Sequence, residues 1–350
     1  MAKRIVIMAG GTGGHVFPAL AVAEALLEKG WEVSWLGTRS GLEAKVVPEH
    51  GIAIDWLSVA GVRGKGALSK LTAVFKLVKA CLQAARLLKK RKPDVVLGMG
   101  GFVAGPGGLM AKMLGIPLII HEQNRVPGTT NRWLARLADR VLEAFPDSFE
   151  KKRQAICTGN PLRKKFLSMH DDQQGQAEPG LKILLVGGSQ GAQRLNEIVP
   201  EAMARLKDIQ VLHQTGSAMQ EEVAARYRDL GVNAEAKAFI QDMAQAYQWA
   251  DLAICRAGAM TVSELAAVGC PAILVPLPWA IDDHQVANAH YLSDAGAGVI
   301  LLQKDLTPET LAEAVSRMRA QLATMAAAAK QCARLDATEA VVNYCIAEAS

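Results

Sequence analysis

Ile5-Val6-Ile7-Met8-Ala9-Gly10-Gly11-Thr12-Gly13-Gly14 is a run of five apolar residues that gives way at once to glycines and one hydroxyl. An unbroken apolar run predicts a strand covered on both faces, as in a parallel sheet. The glycines predict a tight turn, and a helix follows. The same order returns at Ile183-Leu184-Leu185-Val186-Gly187-Gly188-Ser189-Gln190-Gly191-Ala192. Two such starts predict two copies of one plan. Each copy would present its strand C-terminal edge, where open sheets bind ligands, to a cleft.

The rest of the chain continues the rhythm. Short apolar runs at Glu32–Leu36, Asp94–Gly98, Leu118–His121 and Arg140–Glu143 predict strands, as do Lys182–Val186, Gln210–Gln214, Ala250–Cys255 and Pro271–Val275. Apolar positions three and four apart predict helices over Ala19–Lys29, Ser69–Lys90, Val103–Leu114 and Thr129–Ala138. Alternation of this kind means an α/β protein with parallel sheets wound on both faces. A chain of 350 residues exceeds what one core organises, so two domains are expected. The polar stretch Met169–Gly180 is the linker candidate.

Composition excludes several classes. Half the residues are hydrophobic and 21% are charged, which excludes disorder and collagen. The six cysteines make no CxxC pair, so a reduced cytoplasmic protein is expected. Gly10–Gly14 breaks the N-terminal apolar run too early for a signal peptide. The 17-residue uncharged stretches Val95–Ala111 and Leu265–Ile281 hold six glycines and three prolines respectively, so no membrane span is expected. Charge is uneven. Residues 1–161 carry 23 Lys/Arg against 12 Asp/Glu, a net of +11, whereas 162–350 carry 16 against 22, a net of −6. The halves are expected to meet different partners.

Three glycine loops, Gly10–His15, Gly98–Gly108 and Gly187–Ala192, fall at predicted strand ends. Backbone N–H groups there approach an anion closely, so a phosphate-bearing ligand is expected. Gly64-Lys65 is followed by Gly66, so there is no P-loop; GxGxxG is absent, and Thr38-Arg39 stands where a dinucleotide site needs an acid. Cys255-Arg256-Ala257-Gly258-Ala259-Met260-Thr261-Val262-Ser263-Glu264 reads as a strand end, a turn and a helix start able to hold a diphosphate. Glu264 either accepts from two ribose hydroxyls or only complements the helix dipole, an effect of about 0.3–1 kcal/mol.

These motifs occur together with His121-Glu122-Gln123-Asn124, Gly159-Asn160-Pro161-Leu162-Arg163 and Asp282-Asp283-His284-Gln285. In that order and spacing the chain, over essentially its whole length, closely resembles the MurG family of peptidoglycan N-acetylglucosaminyltransferases. The resemblance implies a GT-B fold of two Rossmann-like domains with parallel sheets facing a deep cleft. It implies an acceptor and membrane-facing domain of 1–161 plus 337–350, and a UDP-sugar-binding domain of 162–336. The implied donor is UDP-N-acetylglucosamine. Ile240 would read the uracil and Glu264 the ribose. Ser189, Ala259, Met260, Thr261, Val262 and Ser263 would hold the diphosphate. Arg163, Gln285 and Asn288 would complete the nucleotide-sugar pocket, and Thr12, Gly13, Gly14 and Asn124 would close on the donor. The implied acceptor is undecaprenyl-pyrophosphoryl-N-acetylmuramyl-pentapeptide, lipid I, and the product lipid II. Where some relatives carry a glutamine before Gln285 this chain has His284, which is given no sugar contact.

His15 is the expected general base of an inverting transfer, since histidine's ordinary pKa of ~6.5 suits proton transfer at neutral pH. Its other possible task is to order Gly13-Gly14, and His121 and Glu122 are rival bases. No cofactor is expected. No DxD pair lies near the diphosphate turn, so no metal is expected either; the helix dipole would stand in for the cation. Val62–Pro93 holds ten Lys/Arg, no acid, and Leu68, Leu71, Val74, Phe75, Val78 and Leu82 at helical spacing. This stretch either buries an apolar face or rests on an anionic membrane surface, placing the protein peripherally on the cytoplasmic face of the inner membrane. Phe75 is its sole aromatic, which argues against nucleic acid. Two other functions share these motifs: a UDP-N-acetylglucosamine 2-epimerase, and a non-catalytic nucleotide-sugar-binding subunit.

Overall fold

The computed structural model describes residues 2–59, 67–168, 180–187 and 192–350. They form two compact units, Met1–Arg163 with Leu335–Ser350, and Lys164–Arg334. Ser189 and most of the 169–180 linker candidate lie outside the described residues.

Unit 1 is built on a parallel sheet. Its strands are β1 (Arg4–Ala9), β2 (Glu32–Gly37), β3 (Ala53–Trp56), β4 (Val95–Gly100), β5 (Leu118–Glu122), β6 (Arg140–Glu143) and β7 (Ile156–Cys157). Their order is β3-β2-β1-β4-β5-β6-β7. The unbroken apolar run of β1 is explained by what covers it. Ile5 and Ile7 enter one core with the helix Gly13–Glu28, while Val6 and Met8 enter another, on the opposite face, with Ala84 and Leu88. The chain's last helix, Ala337–Glu348, returns to this unit and packs Val341, Val342 and Cys345 beside Ile5 and Ile7.

Unit 2 repeats the plan with β8 (Leu181–Val186), β9 (Ile209–Gln214), β10 (Ala234–Lys237), β11 (Leu252–Cys255), β12 (Ala272–Leu274) and β13 (Gly298–Ile300). The order is β10-β9-β8-β11-β12-β13, again all parallel. β1 and β8 hold the same place, each beside the strand where the winding direction reverses. Ligands bind at such switch points, outside the strand C-termini. The α/β class and the doubled Rossmann-like plan are therefore as expected.

One expected boundary is corrected. The first helix begins at Gly13, not Ala19, and runs through Pro18. His15 and Val16 both donate backbone N–H to the Thr12 carbonyl, so the glycines themselves form the first turn. Pro18 removes the helical bond to the Gly14 carbonyl, one of the early bonds, and the buried Val16, Ala19, Leu20, Val22 and Ala23 hold the helix against the sheet.

Candidate active site

In unit 1 the loops after β1, β4 and β5 meet around the His15 imidazole, and the loop after β7 backs them through His121 and Gln123. His15 lies in the first turn of Gly13–Glu28, which Thr12 opens in an extended conformation without a capping side-chain bond. Its Nδ1 lies 2.7 Å from Gln123 Oε1. Gln123 Nε2 is 3.0 Å from His121 Nδ1 and 3.0 Å from the His121 carbonyl. His121 Nε2 is 2.9 Å from the Gly159 carbonyl, and Asn160 Nδ2 donates to the Gln123 carbonyl at 3.1 Å. His121 is wholly buried, and that burial lowers its pKa to about 4, opposed by the bond to Gly159.

Glycine makes this assembly possible. Gly100 takes φ +105, and a Cβ there would stand 2.8 Å from His15 Nδ1. Gly101 takes φ +81, and a Cβ would stand 2.4 Å from the Gly10 carbonyl oxygen. These two positions in the Gly98–Gly108 loop thus serve close packing of two loops and an imidazole. Their glycines need no phosphate to explain them.

Glu122 and His121 are buried parts of the scaffold. The Glu122 carboxylate, 1% exposed, accepts from Asn124 N, Asn124 Nδ2, Gly128 N and Asn131 Nδ2 at 2.9–3.2 Å. A carboxylate so engaged holds the turn that carries Asn124. Glu43, also buried, does the same beneath the first loop, accepting from Gly11 N and from the backbone and hydroxyl of Thr38. Arg163 sets its guanidinium over the Phe17 ring, 5.4 Å from the centroid, on the helix that carries His15.

In unit 2 the turn after β11 leads into the helix Ala259–Val268, whose N-cap, Gly258, supplies no side-chain bond. The backbone N–H groups of Ala259, Met260 and Thr261 have no acceptor within the helix, which leaves partial positive charge at its start. Val262 already donates to Gly258 and is buried, so its side chain is core. Thr261 hydrogen-bonds Tyr247, whose phenol is raised well above its usual range by burial and then by the Glu264 charge. Ser263 and Glu264 are half-buried in the first turns. Arg256, 6% exposed, ties the turn down by donating to the Val275 carbonyl at 3.1 Å and to Gln303 Oε1 at 2.7 Å.

The remaining expected donor residues lie around the same edge. Asn288 is wholly buried and donates Nδ2 to the Ala257 carbonyl at 3.2 Å, so it acts on the turn from behind. Gln285 accepts from Leu277 N at 3.0 Å. The Ile240 N–H donates to Gln214 Oε1 at 2.9 Å, an acceptor that a uracil carbonyl would have to replace. A groove of about 710 Å³ reaches Ile240 but runs along β9 and β10 past Gln210, Leu212 and Glu235. It spans β10 from Asn233 to the segment Phe239–Asp242 beyond its C-terminus, at the edge of the sheet and three strands away from β11 and the turn that would hold a diphosphate.

Gln123 and Glu43 are the residues that sequence reasoning missed. Gln123 had a signal, since it stands two positions after His121 at a strand end. Glu43 had none, being one acid in a short helix remote from any motif.

The glycosyltransferase family 28 N-terminal domain matches residues 5–143, and the family 28 C-terminal domain matches residues 182–343. The chain is 60% identical over 354 residues to the UDP-N-acetylglucosamine--N-acetylmuramyl-(pentapeptide) pyrophosphoryl-undecaprenol N-acetylglucosamine transferase of Methylococcus capsulatus, covering 100% of this chain and 99% of that one. It is 52% identical over 358 residues to the like-named enzyme of Nitrosococcus oceani, covering all of both chains. The crystal structure of Acinetobacter baumannii MurG superposes with a TM-score of 0.85 at 44% identity over 99% of each chain. The kitacinnamycin glycosyltransferase, at 19% identity and a TM-score of 0.77, shares the fold.

Proposed function

The chain belongs to glycosyltransferase family 28, and from that premise we propose that it moves N-acetylglucosamine from UDP-N-acetylglucosamine to the muramyl 4-hydroxyl of lipid I, giving lipid II for peptidoglycan synthesis. An inverting transfer needs a base for the acceptor hydroxyl and an anion site for the departing UDP. The observation that carries the reading is that one chain holds both: His15 at the unit 1 switch point, and the uncapped helix start at Ala259 at that of unit 2.

The acceptor oxygen attacks the anomeric carbon from the face opposite UDP. His15 takes its proton, and the bond from the anomeric carbon to the diphosphate breaks. The N–H groups of 259–261 meet the charge that develops on UDP in a preorganised way. Thr261 and Ser263 add hydroxyls, Glu264 takes the ribose, and Ile240 takes the uracil. Thr12, Gly13, Gly14, Asn124, Arg163, Ser189 and Gln285 complete donor recognition, with Asn288 acting through the Ala257 turn.

The membrane partner is proposed on the helix Ala67–Arg91. Ala80, Ala84 and Leu88 form its buried stripe, while Phe75, Leu77, Val78 and Leu82 are exposed, Phe75 by 75%. Lys76, Lys79, Arg86, Lys89 and Lys90 are exposed among them. Ala80, Ala84 and Leu88 thus face inward while Phe75, Leu77, Val78 and Leu82 face out, an exposed apolar row among cations that suits insertion at an anionic lipid surface. Among the described residues no helix is long and apolar enough to cross a membrane. We assign the protein peripherally to the cytoplasmic face of the inner membrane.

The test supplies purified protein with donor and a water-soluble lipid I analogue. Disaccharide and UDP should form together, and only when the acceptor is present. UDP-N-acetylmannosamine from donor alone would overturn the reading in favour of the epimerase. Donor binding without turnover of either kind would favour the binding subunit.

A further inference from the structure

The hydrogen-bond chain behind His15 has a direction, set by two backbone carbonyls. A carbonyl oxygen only accepts. The atom of Gln123 that lies 3.0 Å from the His121 carbonyl must therefore be the amide nitrogen, and the amide cannot be turned round. Its oxygen then faces His15 Nδ1 at 2.7 Å, and since that oxygen only accepts, Nδ1 must carry a hydrogen. The other end agrees independently. The Gly159 carbonyl obliges His121 Nε2 to donate, which leaves His121 Nδ1 to accept from Gln123. Asn160 pins the Gln123 backbone by donating to its carbonyl.

We infer that Gln123, held in one orientation by His121, is a positioning residue that fixes His15 as the Nδ1–H tautomer and so makes Nε2 the atom that receives the acceptor's proton. This rests on His15 being the base, as proposed above. In the step, the acceptor O–H bond breaks and its proton goes to Nε2. The oxygen bonds to the anomeric carbon, and the electron pair of the cleaved bond leaves with UDP. The imidazolium keeps its Nδ1–H on the Gln123 oxygen until Nε2 returns a proton to water. A neutral amide does the orienting here, so no buried carboxylate is needed behind the ring.

The burial of His121 supports the arrangement, because a ring held neutral near pH 7 keeps one nitrogen as an acceptor. Protonation there would turn it into a second donor facing the Gln123 amide and break the chain.

The experiment is nitrogen NMR of the full chain with ring-labelled histidine, His15 being assigned by the signal lost in His15→Ala. In the wild type His15 should show a protonated Nδ1 and a lone pair on Nε2. In Gln123→Met, which keeps the bulk and removes every polar atom, the ring should change to a mixture or to the Nε2–H form. kcat should fall at least ~10-fold but by no more than the roughly 10²–10⁴-fold that loss of the base itself costs, while KM for UDP-N-acetylglucosamine stays within about twofold. His121→Phe retains the backbone carbonyl that holds Gln123, so its effect should be smaller than that of Gln123→Met. The ring signal of His50, paired with Glu24 in the same unit, reports that each variant is folded. A wild-type His15 protonated on Nε2, or a folded Gln123→Met with unchanged tautomer and kcat, overturns the relay. A His15→Ala enzyme with near wild-type turnover overturns the base assignment itself.

Discussion

At Gly100 a single hydrogen separates an accommodated imidazole from a displaced one. The residue sits at φ +105, and an added Cβ would lie 2.8 Å from His15 Nδ1. Gly100→Ala therefore pays for a left-handed backbone, roughly 1–2 kcal/mol, and also pushes the ring. We expect kcat to fall at least ~10-fold and the melting temperature to drop by a few degrees, with UDP affinity in unit 2 unchanged. Calorimetric UDP titration beside steady-state kinetics checks this; an unaltered kcat would show that the ring's position is unimportant. Glu264 asks a different question. Glu264→Ala should weaken binding of UDP more than binding of a deoxyuridine diphosphate, which already lacks a partner hydroxyl. Equal losses for both nucleotides would mean that the carboxylate acts through the helix dipole. Both tests concern chemistry that residue type alone leaves open. Glutamate at a helix start has two uses, and the half-buried Glu264 is placed where both remain open to it.

At the scale of elements, the strands that the apolar pattern missed are β3, β7, β10 and β13, and these are the four edges of the two sheets. Inner strands are covered on both faces and flanked on both sides, so they read as continuous apolar runs. An edge strand has one neighbour, is short, and carries exposed or half-buried residues, as in Ala53–Trp56 and Ala234–Lys237. Its pairing is decided by the strand beside it more than by its own composition. The helix Ala67–Arg91 shows the converse, for its periodicity was plain and its orientation was not. Because Phe75 and Val78 are exposed, Phe75→Ser with Val78→Ser should leave the fold and the turnover of a short-chain soluble acceptor unchanged. The pair, or Lys76→Glu with Lys79→Glu, should abolish sedimentation with anionic vesicles at low salt and raise KM for a long-chain lipid acceptor. Each basic residue near such a surface contributes on the order of 1 kcal/mol, screened by salt. Vesicle binding that ignores both changes would send the search to another face.

Across the whole molecule each unit buries a histidine in neutral form. Burial lowers His121 to about 4 in unit 1 and His213 to about 3 in unit 2. An unfolded histidine titrates near ~6.5, so between that value and the folded one the unfolded chain binds a proton that the folded chain refuses. Stability must then fall as pH falls from about 6.5 toward 4, and be at full strength above about 7. Between His213 and its neighbours the bonds are 2.9 Å to the Tyr227 hydroxyl and 3.1 Å to Asn196 Oδ1, which a glutamine amide can imitate. Between pH 7 and pH 5 the wild type should lose about 2 kcal/mol more in unit 2 than His213→Gln does. Urea melts followed by hydrogen exchange in β9 measure this, and equal losses would exonerate His213. What the sequence determined alone was the class of fold, its duplication, the inner strands and the motifs of a nucleotide-sugar transferase. Those rest on patterns local in the chain: apolar runs, turn glycines, and charge summed over each half. What only the tertiary structure decided was which polar groups face one another. His15, Gln123, His121 and Gly159 are spread over about 145 positions of sequence and meet because parallel strands deliver every C-terminal loop to the same edge of a sheet. Hydrogen-bond direction depends on that meeting, and no single stretch of sequence contains it.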